Sequence, residues 1–278
     1  MPEQLPTPIT MVARHSSAIR VHTFVAGFTG NNIANATHII ESRNKLVLID
    51  GQFLADNARA FRAYADKLGK PIERLYVSHR HPDHWFGLAT AFNDVPVYAL
   101  QETKTFIETD GEASRNDHLI VLGPQAPASI LVPSHVVEPG EEVIDGVKYV
   151  FNKVINTEID FLLTIGLPEI GVYIPQDLLY SGTHLYLTKD MPHWIDVLQE
   201  MLHPDSHYDL FLPGHGFPAD KFEVARNIEY LVAAQQAFSG GMGKADFETF
   251  LTSRYPGRLC QGIFDIYLPR LFDGAAQF

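Results

Sequence analysis

Three imidazoles and a carboxylate crowd the segment Ser78-His79-Arg80-His81-Pro82-Asp83-His84-Trp85. Imidazole nitrogen and carboxylate oxygen are donors for zinc, iron or manganese, and packing so many of them together is costly unless a cation pairs with them. Three further segments carry donors of the same kind: Leu48-Ile49-Asp50-Gly51, Tyr173-Ile174-Pro175-Gln176-Asp177 and Leu212-Pro213-Gly214-His215-Gly216. Taken singly, these are a turn, a helix cap and a flexible loop. The dense cluster alone could also be surface histidines, so the elements that carry these residues must decide.

Each donor segment directly follows or ends a short apolar run that has the character of a strand. Strands are expected near 18–26, 35–42 and 46–50, then 75–77 and 95–99, then 142–144, 147–151, 161–167, 170–174 and 210–212. Apolar residues at helical spacing predict helices over 53–68, 84–92, 192–202 and 219–238, with a helical tail at 244–254 and 259–270. Residues 109–135 carry Gly, Pro, Ser and Asp without a clear period, which predicts an irregular insertion or lid. The two halves share an order of elements, which suggests two layers of sheet with helices on both outer faces.

With the motifs in that order, the chain resembles the metallo-β-lactamase superfamily, whose signature is written His-x-His-x-Asp-His. The resemblance spans about residues 18–230. It implies an α/β fold: an αββα sandwich of two mixed sheets flanked by helices, with a C-terminal helical tail. Residues 1–278 then form a single domain, with its core at about 18–240 and a helical extension over 241–278. It also implies that His79 and His81 bind a first metal, that Asp83 and His84 bind a second, that Asp177 bridges the two and that His215 completes the second site. Asp50 would support the metal loop from behind. The family usually has Gly before the bridging Asp, whereas Gln176 stands here.

The clearest departure is the third ligand of the first site, commonly a His in a Gly-His-Thr context. This chain reads Ile155-Asn156-Thr157-Glu158-Ile159-Asp160-Phe161. Counting back from the following strand places Glu158 at that position, with Asp160 two residues on and on the same side of an extended chain. Glu158 is the choice and Asp160 the reserve. A third carboxylate lowers the net positive charge of the cluster by one. An activity optimum shifted toward alkaline pH, or a preference for manganese or iron(II), is the expected consequence.

Composition sets outer bounds. The chain has 278 residues, a single cysteine (Cys260) and a formal charge of −12, which excludes a disulfide framework and gives no basic run for nucleic acid. No apolar stretch approaches the roughly 20 residues of a membrane span. The N-terminus lacks the pattern of a signal peptide. A cytoplasmic location is expected, with a periplasmic or secreted one open if a leader has been removed.

The expected cofactor is a pair of divalent ions, zinc by choice with manganese or iron as alternatives. The expected partner is a small-molecule substrate, and a homodimer is left open. The resemblance implies hydrolysis of an ester, lactone, thioester or related bond by a hydroxide bridging two metals, with Asp83 orienting the nucleophile and relaying a proton. An iron-dependent oxygenase or reductase is the alternative, and a non-catalytic metal sensor is the second. His184, Tyr186, His193 and Trp194 are weaker candidates for the pocket wall.

Overall fold

The computed structural model describes residues 5–29 and 32–274. The last four residues of the expected extension, 275–278, lie outside the described residues. Four strands open the chain as an antiparallel run: β1 (Ile9–His15), β2 (Arg20–Ala26), β3 (Asn35–Glu41) and β4 (Leu46–Ile49). The first of these lies ahead of the first expected strand; its residues are largely exposed, so it carries little apolar signal.

Helix α1 (Ala55–Lys67) buries Ala58, Phe61 and Ala65 along one face and stops before Gly69, whose φ of +70° turns the chain. Strand β5 (Ile72–Val77) returns parallel to β4. The expected helix over 84–92 is two short turns, α2 (Pro82–Trp85) and α3 (Leu88–Ala91), divided at Gly87. A Cβ at Gly87 would stand 2.1 Å from the Gly51 carbonyl oxygen, so this glycine lets the metal-loop segment press against the turn after β4. β6 (Val97–Ala99) then pairs parallel with β5.

The expected irregular region is largely helical, which corrects the sequence reading. Helix α4 (Gln101–Leu122) runs through it before the short β7 (His135–Val136). The buried positions of α4 are Thr103, Ile107, Gly111 and Ser114. Their spacing is helical, but small and polar residues carry it, and an apolar period does not register there.

The second half begins with an antiparallel meander: β8 (Gly140–Ile144), β9 (Val147–Ile155), β10 (Phe161–Leu167) and β11 (Val172–Ser181). Helix α5 (Met191–Met201) crosses to β12 (Leu210–Gly216), which lies parallel to β11. The chain continues as α6 (Lys221–Ser239), capped by the Asp220 carboxylate accepting from two backbone amides, then α7 (Lys244–Arg254) and α8 (Ile263–Asp273).

The strand order is β7-β6-β5-β4-β3-β12-β11-β10-β9-β8, with β2 also on β3. The two expected sheets meet at a seam between β3 and β12, where His215 pairs with Asn35. Three buried clusters then define four layers. One, with Phe61, Trp85 and Ile107, lies between the first sheet and its helices. A second, with Val47, Tyr76, Phe151 and Ile174, joins the inner faces of both sheets. The third, with Leu179, Trp194, Leu231 and Tyr267, lies between the second sheet and α5 to α8. This is an αββα sandwich.

Candidate metal centre

The seam brings the donor segments together. His79, His81, Asp83 and His84 follow the end of β5; Asp177 sits inside β11 and His215 near the end of β12; Glu158 lies in the turn between β9 and β10. His79, His81, Glu158 and Asp177 form one group and Asp83, His84 and His215 a second, with one candidate ligand atom from each residue lying within 4.8 Å of the others in its group. Asp177 Oδ2 is 3.5 Å from His79 Nε2, 3.3 Å from His84 Nε2 and 3.2 Å from His215 Nε2, so this carboxylate stands between the two groups.

Glu158 reaches within 3.1 Å of His81 Nδ1 and is 1% exposed. Asp160, the reserve candidate, is not in the cluster. It is exposed and pairs with Arg80 at 3.1 Å. Asn156 has φ +52°, and the amides of Asn156 and Thr157 donate to the carbonyls of Asp160 and Ile159. The segment is therefore a tight turn, and the strand alternation assumed for the two acids does not apply.

Residues behind the donors fix which nitrogen three of the four imidazoles present. Asp50 accepts from the Ser78 amide at 2.7 Å and from Ser78 Oγ at 2.8 Å. With the Ser78 hydrogen directed to Asp50, the hydroxyl oxygen is free to accept from His79 Nδ1 at 2.9 Å, leaving His79 Nε2 facing the site. His84 Nδ1 donates to Asp50 at 2.8 Å and His215 Nδ1 to the Ile33 carbonyl at 2.6 Å. Both present Nε2 in the same way, the arrangement by which a carboxylate or carbonyl orients a metal-binding histidine.

Gln176 closes the network by donating from Nε2 to Asp50. Its φ is +49°, and Ala34, Asp50 and Gln52 nearby are also left-handed. Non-glycine residues in that region are strained, and here hydrogen bonds hold them. Gln52, for example, donates to Thr37 Oγ1 at 3.1 Å and to the Asn35 carbonyl. Sequence reasoning missed Gln176, Asn35 and Tyr180 as parts of the site. Asn35 donates to Asp83, Tyr180 donates weakly to Asp177, and the Tyr180 ring stacks on His215 with centroids 4.9 Å apart. The contacts of Asn35 with Asp83 and of Tyr180 with His215 join residues far apart in the chain and leave no local pattern.

Electrostatics show what the site requires. Burial opposes charge on His215, yet Asp177 and Asp83 raise its pKa to about 9. His84 is raised well above its ordinary value against the same burial by Asp83, Asp177 and Asp50. Burial and the neighbouring His84 hold His79 well below its usual value. Asp177 lies well below the ordinary carboxylate range despite burial, because His84, His215 and His79 surround it. The carboxylates demand positive charge, which divalent cations supply.

A second observation fits the same group. Both oxygens of Glu158, Asp177 Oδ1 and His84 Nε2 are buried without a hydrogen-bond partner. Buried polar atoms normally have partners, and these four belong to three residues of the two donor groups. The donor set of imidazole and carboxylate suits zinc, manganese or iron(II).

A cavity of about 470 Å³ opens over the cluster, with His81, Asp83, Glu158, Asp177 and His215 at its floor. Of the weaker candidates, Tyr186 lines it and its ring lies 5.2 Å from that of His81. The other three do not: His184 is buried against Tyr230, Trp194 is in the core donating to the Leu178 carbonyl, and His193 is exposed. His118 reaches the cavity wall without having been expected there.

No protein-family model matches the chain. A curated relative, the uncharacterized protein YobT of Bacillus subtilis (strain 168), is 24% identical over 111 residues, which is 39% of this chain and 45% of YobT. The match thus spans less than half the length of that relative. Among solved structures, a metallo-β-lactamase from Pontibacter korlensis aligns with a TM-score of 0.63 and 18% identity over 80% of this chain and 99% of that one. The stereoselective inverting sec-alkylsulfatase Pisa1 from Pseudomonas sp. aligns with a TM-score of 0.61 and 18% identity over 90% of this chain and 49% of that one. The chain has the metallo-β-lactamase fold, and its histidines and acids are placed for a metal site. Among the described residues, no helix is long and apolar enough to cross a membrane.

Proposed function

We propose that the protein is a hydrolase dependent on two divalent ions, zinc in the first instance, that cleaves an ester, lactone, thioester or related bond of a small molecule. The observation that carries this reading is the position of Asp177 between two donor groups at the floor of an open cavity. The solved structures of the same fold include a metallo-β-lactamase and an alkylsulfatase, which supports hydrolysis without choosing the bond.

His79 Nε2, His81 Nδ1 and Glu158 would hold the first ion, and Asp83, His84 Nε2 and His215 Nε2 the second, with Asp177 shared. Bound there, the ions supply a Lewis acid and a water acidified to a nucleophile. The protein's own part is orientation and proton movement. The Asp83 side chain is 14% exposed, against 2% for Asp177 and 1% for Glu158, so it is the carboxylate of the three most open to the cavity. Held by Asn35, it orients the attacking water and relays its proton to the leaving group. Tyr186, beside His81 on the cavity wall, is placed to touch the substrate.

The test is turnover of the zinc-loaded protein on esters, lactones, thioesters and sulfate esters. Hydrolysis of one class, lost on chelation, restored by metal and lowered at least about a hundredfold by His79→Ala, is the expected result. Inertness toward the whole panel with both sites loaded would overturn the reading. The Glu158 carboxylate also suits iron, and iron in protein from its native source, together with oxygen consumption, would favour the redox alternative.

A further inference from the structure

Above the cluster floor, the cavity changes character. The end of α4 supplies Val121 and Leu122 to one wall and α8 supplies Ile263 and Ile266 to another, with Phe53 and Leu54 near them. Apart from the cluster residues and Arg270, no described lining residue is Lys, Arg, Asp or Glu. Arg270 donates to the Tyr186 hydroxyl at 2.7 Å, which ties α8 to the residue beside His81. The apolar character continues to the rim, where Val121 is 82% and Ile266 42% exposed. Branched aliphatic side chains exposed around a cleft mark a surface that binds an apolar group.

We propose that the substrate carries an uncharged aliphatic arm, which lies between the end of α4 and α8 while its hydrolysable group sits over the metal cluster. This rests on the hydrolase reading for the position of the reacting bond. The aliphatic preference follows from the two helical walls between which the arm lies: Val121 and Leu122 of α4 and Ile263 and Ile266 of α8 offer no flat face for stacking, and a flexible chain fills the space between them. Helix α8, from the C-terminal extension, then sets the preference for chain length. An α8 face that merely sealed the core would have its isoleucines buried. Ile263 is, but Ile266 one turn on stands at the cavity rim.

The test is calorimetric titration of the protein with butanoate and octanoate, loaded with zinc and metal-free. Each buried methylene contributes about fourfold in affinity, so octanoate should bind the loaded protein at least about tenfold more tightly than butanoate. The ratio should persist without metal, while both acids bind more weakly. Val121→Asp combined with Ile266→Asp, at positions exposed enough to leave the fold intact, should bring octanoate to the level of butanoate. Equal binding of the two acids by the unmodified protein, or a ratio that survives in the double variant, would overturn the proposal. Equal binding with and without zinc would overturn the metal reading instead, and an octanoate preference in that same experiment would still support the apolar arm.

Discussion

The Glu158 carboxylate lies 3.1 Å from His81 Nδ1 and 3.9 Å from His79 Nε2, and neither of its oxygens has a hydrogen-bond partner. Burial raises its pKa while His81 opposes the rise. A carboxylate in this position is tolerable when a cation shares it with the two imidazoles. Glu158→Ala should therefore reduce bound zinc from two equivalents to one, measured by elemental analysis after desalting. Glu158→His should keep both and move the acid limb of the pH–rate profile to lower pH, because it removes one negative charge from the cluster. Two equivalents retained by the alanine variant would show that Glu158 holds no metal.

Gly214 precedes His215 on β12, and a Cβ there would stand 1.9 Å from Asp177 Oδ1 and 3.1 Å from His84 Cε1. Glycine is required because the backbone passes so close to the shared carboxylate. Gly214→Ala should displace Asp177 and weaken zinc binding about 10- to 100-fold, with a loss of about 1–3 kcal/mol in the metal-free protein from overpacking. Chelator competition and urea unfolding measure the two effects. Unchanged zinc affinity would mean that Asp177 is not needed where the structure puts it.

Much of the site was legible because its signal is local. The four donors from His79 to His84 fall within six consecutive positions just past β5, Asp50 and His215 sit at or near a strand end, and Asp177 follows an expected strand that the structure carries on through it to Ser181. Glu158 could be counted back from β10, but its advantage over Asp160 depends on the Asn156 turn, and spacing in an assumed strand does not predict that turn. Helix α4 escaped notice because Thr103, Gly111 and Ser114 carry its buried face. The pairing of Gln176 with Asp50 and the stacking of Tyr180 on His215 depend on which strands become neighbours, and residues 126 or 35 positions apart in the chain carry no shared pattern.

His184 supplies a pH dependence away from the metal cluster. It is buried beneath the C-terminal helices, its Nδ1 3.0 Å from the Tyr230 hydroxyl, and burial with the nearby Arg258 lowers its pKa to about 4. The unfolded chain takes up this proton near pH 6.5 while the folded protein stays neutral down to about pH 4. Across that window the unfolded state binds more protons, so stability is full above it and falls as the pH drops. His184→Phe lacks this proton and should lose about 2–3 kcal/mol less than the unmodified protein between about pH 7 and pH 4. Parallel pH–stability curves from urea unfolding would contradict the assignment.

Anomalous diffraction from crystals of the zinc-loaded protein tests the metal centre most directly. Two peaks are predicted at the β3–β12 seam: one ligated by His79 Nε2, His81 Nδ1 and Glu158, the other by Asp83, His84 Nε2 and His215 Nε2, with Asp177 touching both. A crystal soaked in zinc that shows no peak there, or shows Glu158 and Asp177 turned away from the metal, would contradict it.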